Sequence, residues 1–125
     1  MKLKAIIATS GIDSDYDRFS PEALEEIANS VKGKSIKIEF KHDVGHIEDA
    51  EVIDGSVHVS GRFDVDLEDL QNANVYLVPT FGLGTDDWDI IDDVRVIRHC
   101  TLVYCGLTDR PVDENLTPIE VIDAD

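Results

Sequence analysis

An Asp-Gly pair at residues 54 and 55 is the feature that most constrains the fold of this chain. It stands between Glu-Val-Ile at residues 51–53 and Ser-Val-His-Val at residues 56–59, two runs suited to β-strands. A two-residue type I′ turn needs positive φ at both central positions, which Asp-Gly adopts readily. Because apolar residues then alternate with polar ones, Val57, Val59 and Phe63 are expected to face a core. The pair predicts a tight hairpin that continues into a long strand.

A single amphipathic helix is predicted after residue 20. Ser20 suits the N-cap, Pro21 the first helical position, and Glu22 the positive end of the helix dipole. Apolar side chains then recur at helical spacing, and Gly33 is expected as the C-cap. The apolar stripe consists of Leu24, Ile27, Ala28 and Val31. We expect this helix to lie on a sheet.

Further strands are predicted on both sides of the hairpin. Residues 3–9 are mostly apolar and predict a buried strand. Residues 35–42 alternate with a period of two, which places Ile36, Ile38 and Phe40 on one face of a strand that ends at His42. Residues 75–83 and 94–105 also read as strands, separated by an acidic loop at residues 84–93. Residues 64–74, with Leu67 and Leu70, are expected to form a short helix or turn, and the tail after residue 109 to be extended. The fold class expected is α+β, a curved and mostly antiparallel sheet or barrel with one main helix.

Charge limits the partners that the chain can have. With 11 basic and 27 acidic residues, the net charge is −16, which disfavours binding to nucleic acid or to an anionic membrane. A protein with a basic surface is the expected partner. No segment has the length of a membrane span, and the apolar stretch at the N-terminus is too short for a signal peptide, so a soluble protein made in the cytoplasm is expected.

Length and cysteine spacing add two expectations. The 125 residues suit one domain, residues 1–125, with a single core. Cys100 and Cys105 would lie on opposite faces of a continuous strand, which argues against a bridge between them. Buried, reduced thiols are therefore expected.

Three short blocks occur in an order that resembles the prohead (capsid maturation) proteases of tailed phages. They are Lys-His-Asp at residues 41–43, Pro-Thr-Phe-Gly-Leu at residues 79–83, and Arg-His-Cys-Thr-Leu-Val at residues 98–103. Three aspartates at alternating positions in residues 13–17, followed by the predicted helix, precede them as in that family. Thr80 stands where the family has serine, and His99 where it has an acidic residue. The resemblance implies a prohead-protease-like fold with a changed catalytic site.

The resemblance places a candidate triad at His42, Thr80 and His99. A hydroxyl nucleophile needs a base within hydrogen-bond reach and a third group that orients the base. The related herpesvirus assemblins use a second histidine as the third member, so His99 is chemically admissible. Thr80 fits less well, because its β-methyl group restricts the hydroxyl and Pro79 removes a backbone donor. The alternative interpretation of Thr80 is a strand residue selected for β propensity.

Three other site hypotheses arise from the residues themselves. The spacing of His42 and His46 would suit zinc only on a helix, whereas residues 43–45 look like a turn, so no metal or cofactor is expected. The aspartates of residues 84–93 do not match an EF-hand and are expected to be solvated. Among them, Trp88, Ile90 and Ile91 would form a docking patch if exposed and a core strand if buried.

These observations predict a phage virion protein, a capsid-associated decoration or cement protein on a degenerate prohead-protease-like fold. The expected partner is the major capsid protein, and this chain is expected on the capsid surface. A homo-oligomer of the chain on the capsid is a further expectation. The first alternative is an active maturation protease that cleaves scaffold or capsid protein, with His42 as base and Thr80 as nucleophile. The second is an acidic protein that binds a host factor. Enzymatic activity is left open between them.

Overall fold

The fold was analysed in a computed structural model, which describes residues 1–39, 41–65 and 74–122. Within these ranges the chain forms one helix, α1 (Pro21–Ser30), and ten strands. The strands are β1 (Lys2–Thr9), β2 (Asp17–Phe19), β3 (Ser35–Ile38), β4 (His42–Ile53), β5 (Ser56–Phe63), β6 (Tyr76–Gly82), β7 (Trp88–Ile91), β8 (Val94–Ile97), β9 (Thr101–Thr108) and β10 (Glu120–Ile122).

The strands form two sheets. Seven of them follow the order β10-β1-β5-β4-β3-β9-β6 in a sheet that curls into a half-barrel. Three make a smaller sheet in the order β2-β8-β7. Pairing is antiparallel except between β3 and β9 and between β2 and β8. The expected curved, mostly antiparallel sheet with one main helix is confirmed. Because that helix is short, the described part of the chain consists mostly of strands.

The hairpin at residues 54 and 55 is confirmed. Asp54 and Gly55 have φ of 50° and 75°, as a type I′ turn requires, and Ile53 pairs with Ser56 across it. The alternation in β5 buries Val57, Val59 and Phe63, as predicted. Local turn chemistry and a period of two were sufficient here, because both act within a dozen residues.

The predicted helix is also confirmed, with a different C-terminal end. The Ser20 hydroxyl accepts a hydrogen bond from the backbone N–H of Ala23 at 3.1 Å, and Pro21 is the first helical residue. Val31 caps the C-terminus by donating to the carbonyl of Ile27. Gly33, with φ of 80°, lies in the turn that leads to β3 and is not itself the C-cap.

The prediction that a strand ends at His42 is wrong. β3 ends at Ile38, Glu39 takes a positive φ of 54°, and His42 begins β4, where it pairs back with Ile38. Residues 43–45, expected as a turn, therefore lie inside a strand. Only the antiparallel pairing with β3 shows that His42 begins a strand and does not end one. Phe40, expected on the apolar face, lies outside the described residues.

The predicted strand over residues 94–105 is also wrong, because it is broken into β8 and β9. At the break, the carbonyl of Asp87 accepts hydrogen bonds from the backbone N–H groups of Arg98 at 2.7 Å and His99 at 3.2 Å. The acidic segment before it holds β7, joined to β8 by a two-residue turn at Asp92 and Asp93 with φ of 52° and 64°. Two aspartates are a weaker turn signal than Asp-Gly, so this hairpin was missed.

Helix α1 and both sheets contribute to one hydrophobic cluster. Its most buried large members include Leu3, Ile7, Leu24, Ile47 and Ile97. Both cysteines are free and buried, as expected. The tail is mostly irregular but adds β10 to the edge of β1, and the helix or turn expected around Leu67 and Leu70 lies outside the described residues. Within the described ranges, no helix combines the length and hydropathy that crossing a bilayer needs.

Candidate functional site

The three residues of the expected triad lie at separate places in the fold. His42 is exposed at the start of β4, and Thr80 lies on β6 opposite Tyr104 of β9. Since β3 and β9 lie between β4 and β6, three strand spacings separate His42 from Thr80 along the sheet, about 14 Å. In the part of the chain that the structure describes, no hydrogen bond joins any two of the three side chains. The structure does not assemble this triad.

His99 is held by the helix and is not placed to orient His42. It lies in the connection between β8 and β9, where its Nδ1 is 2.6 Å from Oε1 of Glu26 on α1. The other oxygen of Glu26 accepts a hydrogen bond from the backbone N–H of Cys100 at 3.2 Å. Glu26 was not predicted as a site residue, since it reads as one more polar residue on the outer face of an amphipathic helix.

Thr80 is half-buried on β6, and no hydrogen bond joins its hydroxyl to a base among the residues that the structure describes. Its partner Tyr104 has the ammonium group of Lys37 5.4 Å from the centre of its ring. Lys37 also binds Oδ1 of Asp43, the neighbour of His42, at 2.7 Å. Lysine, tyrosine and aspartate thus stabilise one another across three strands. This row was missed because register, not sequence spacing, aligns its members.

Cys100 does not replace the missing nucleophile, although it follows His99 in sequence. Burial raises the pKa of its thiol to about 11, and the carboxylates of Glu26 and Asp87 act in the same direction. Burial raises the pKa of Cys105 to about 12. Since the thiolate is the reactive form of cysteine, both thiols are held in their unreactive state at neutral pH.

The expected docking patch is partly exposed. Trp88 packs against the core, and the guanidinium of Arg95 lies 5.7 Å from the centre of its ring. Ile90 and Ile91 are 61% and 53% exposed near the tip of the β7–β8 hairpin. Trp88 is therefore a half-buried anchor of this hairpin, and the free apolar surface belongs to the two isoleucines.

The histidines of the zinc hypothesis lie on one strand. His42 and His46 are four residues apart in β4, a spacing of about 13 Å along a strand, and Nδ1 of His46 is 3.4 Å from Asp64. No group of three or more potential metal ligands is found in residues 1–39, 41–65 and 74–122. The aspartates around Trp88 likewise form no such group within these ranges.

Comparisons with protein-family models, with curated proteins and with solved structures each found no match.

Proposed function

We propose that this chain is a capsid-associated structural protein of a tailed phage, a decoration or cement protein that binds the major capsid protein. The observation that carries the proposal is the separation of His42 on β4, Thr80 on β6 and His99 in the connection between β8 and β9. A chain with the block order of a maturation protease, but with no assembled nucleophile and base, is suited to binding rather than to cleavage.

The phage context is supported by sequence order. The blocks around His42, Thr80 and His99, with the aspartates of residues 13–17 before them, occur in the order of the prohead proteases. A curved, mostly antiparallel sheet with one helix agrees with the fold that this resemblance implies. Degeneration of a protease into a structural protein accounts for Thr80 in place of serine.

The surface of the β7–β8 hairpin supports binding to a capsid. Ile90 and Ile91 are exposed, and aspartates precede, interrupt and follow this strand. Apolar residues surrounded by charge are typical of interfaces, where the charged rim mainly speeds and orients association. With a net charge of −16, the complementary surface on the capsid would be basic.

Co-sedimentation with purified mature capsids tests the proposal. We expect the protein to pellet with the capsids, and Ile91→Asp to weaken binding by about 2 kcal/mol if that residue is a hot spot. Ile53→Asp is the matched control, because Ile53 also precedes a two-residue hairpin turn and is 41% exposed, against 53% for Ile91. It should bind as the unaltered protein does.

Three results would contradict the proposal. The first is absence of the protein from the capsid pellet, and the second is its presence only inside immature proheads. The third is cleavage of scaffold or capsid protein that Thr80→Ala abolishes, which would establish the maturation protease instead.

A further inference from the structure

A cavity of about 310 Å³ lies between β2, β6 and the segment that follows β9. None of the three candidate triad residues lines it, and neither do Trp88, Ile90 and Ile91 of the β7–β8 hairpin. Its apolar wall includes the buried side chains of Ile7, Ile97 and Leu116. Phe19 and Phe81 also line it and pack edge to face, with ring centres 5.4 Å apart. The cavity therefore offers a preformed apolar wall.

Carboxylates surround this apolar wall. Asp13, Asp15, Asp17 and Asp113 line the cavity, with Arg110 as the one basic residue among its lining side chains. Even with Asp17 paired to Arg95, which lies outside the lining, three carboxylates against the guanidinium of Arg110 leave an excess of negative charge at a site with low-dielectric walls, where a field is focused. A ligand with a positive head and an apolar body would complement both parts.

Asp13 and Asp113 form no salt bridge among the described residues, although Arg95 is near enough to Asp13 to attract its charge. Asp113 is only 9% exposed, and its hydrogen bonds come from neutral groups: the Thr9 hydroxyl at 2.7 Å and the backbone and side-chain N–H groups of Asn115 at 3.0 and 3.1 Å. Asp13 accepts backbone N–H groups from Asp15 and Asp17, both at 2.9 Å. Burial raises the pKa of Asp13, and the nearby carboxylates add to this against the two hydrogen bonds. Both carboxylates would gain from a cation.

Asp17 shows which kind of cation the aspartates of residues 13–17 can bind. Asp17 binds the guanidinium of Arg95 with both oxygens, at 2.7 and 2.8 Å. Such a paired contact is a strong and directional form of hydrogen bonding between side chains. The chain thus already uses one arginine against this aspartate segment, beside a cavity that a second could enter.

We propose that the cavity binds a basic peptide segment, receiving one arginine or lysine side chain with its stem on the apolar wall and its head at Asp13 and Asp15. Long cationic side chains bury their methylene groups against apolar surface while the charged head stays at the polar edge. Val112 lines the cavity, and Ile12 and Tyr16 are adjacent in sequence to the aspartates that line it. All three side chains are exposed, which gives the neighbouring residues of such a peptide an apolar surface to contact. This site does not depend on the capsid proposal, because it takes its occupant from the chemistry of the cavity alone.

Titration of the isotope-labelled protein with n-butylguanidinium, followed by NMR, tests the proposal. At 0.15 M salt, which screens the overall charge, we expect saturable shifts at the amides of Phe19, Ile97 and Val112. Guanidinium without a stem and n-butanol without a charge should each bind about fivefold or more weakly. The peptide acetyl-Ala-Arg-Ala-amide should bind, and its citrulline counterpart, neutral but of the same shape, should not.

Matched variants locate the site. Val112→Lys puts a tethered cation at the rim and should block the probe, whereas Val103→Lys, at a valine outside the cavity with 55% exposure against 45% for Val112, should leave binding unchanged. Asp15→Asn should weaken binding about fivefold. Glu48→Gln makes the same change of charge at an exposed position of β4 and should weaken binding by less than twofold. Thermal unfolding of each variant checks that it is folded.

Several outcomes overturn the proposal. These are equal binding by the Val112→Lys variant, equal binding of the arginine and citrulline peptides, and shifts spread over the whole acidic surface. Displacement of the probe by millimolar CaCl₂ with saturable shifts at residues 13–17 would make the cavity edge a metal site instead. No capsid enters these experiments, so their failure is independent of the capsid proposal.

Discussion

At the scale of single residues, burial and local partners decide which side chains are available for chemistry. Cys100 and Cys105 are buried, His99 is bound by Glu26, and Thr80 has no hydrogen bond to a base among the described residues. Exposed His42 has no nucleophile within reach along its strand. Each residue that invites a catalytic interpretation thus lies in surroundings that do not pair it with a catalytic partner among the described residues.

The thiols provide a residue-scale prediction. With pKa values of about 11 and 12 against an ordinary value of 9.0, the thiolate fraction at pH 8 falls about a hundredfold or more. Iodoacetamide at pH 8 should modify both cysteines slowly in the folded protein and rapidly in urea, as measured by mass spectrometry. Rapid labelling of the folded protein would contradict this prediction.

The same shifts affect stability at alkaline pH. The unfolded thiols ionise near pH 9, whereas the folded ones stay protonated to about pH 11 and 12. The folded state therefore binds more protons in this interval, and stability should fall as pH rises from 9. A variant with both cysteines changed to alanine should lose less stability over this interval than the unaltered protein does. The difference between the two proteins measures the contribution of the thiols apart from that of titrating lysines and tyrosines.

At the scale of elements, single side chains fix how α1 and the strands meet. Glu26 joins the helix to the break between β8 and β9, and the carbonyl of Asp87 holds the same break from the other side. Arg95 similarly ties β8 to β2 through Asp17. These contacts set the place where the chain leaves the small sheet and enters the large one.

Replacing Glu26 tests this connection. Glu26→Ala removes the acceptor for both His99 and the backbone N–H of Cys100, so we expect a loss of about 1 kcal/mol in urea unfolding, a modest value because the pair is partly exposed. Glu25→Ala is the matched control, since Glu25 is exposed on the same helix and has the same propensity change. Equal stability of the two variants would show that the contact contributes nothing measurable.

At the scale of the whole molecule, negative charge opposes compactness. The net charge is −16, while exposed pairs such as Lys32 with Asp49 and Arg98 with Asp89 contribute little to stability because solvent screens them. Repulsion among the remaining carboxylates acts over the whole surface. Screening should therefore relieve more repulsion than it removes attraction.

We expect added salt to stabilise the protein at pH 7. Raising NaCl from 20 mM to 0.5 M should raise Tm by roughly 4 °C, the shift that corresponds to about 1 kcal/mol for a domain of this size. Calorimetry near pH 4.3, the isoelectric point, is the control, because salt should have little effect there. A fall in Tm with salt at pH 7 would mean that ion pairs dominate the surface electrostatics.

The sequence alone determined the features that act over short distances. Asp54 with Gly55, the period of two in β5, and Ser20 with Pro21 all specify their structure through neighbouring atoms, and each prediction drawn from them is confirmed. The curved sheet with one helix follows from the same local patterns. Buried, reduced thiols were also predicted correctly, although not for the reason given, because Cys100 precedes β9 and the two cysteines do not share a continuous strand.

Only the tertiary structure decided where those elements meet. Strand register aligned Lys37, Asp43 and Tyr104, helix packing brought Glu26 to His99, and the return of the tail formed the cavity beside Asp13. Each juxtaposition joins residues far apart in the chain, so no local period or spacing encodes it. For the same reason the block order around His42, Thr80 and His99 predicted a site that the strand order β4-β3-β9-β6 keeps apart.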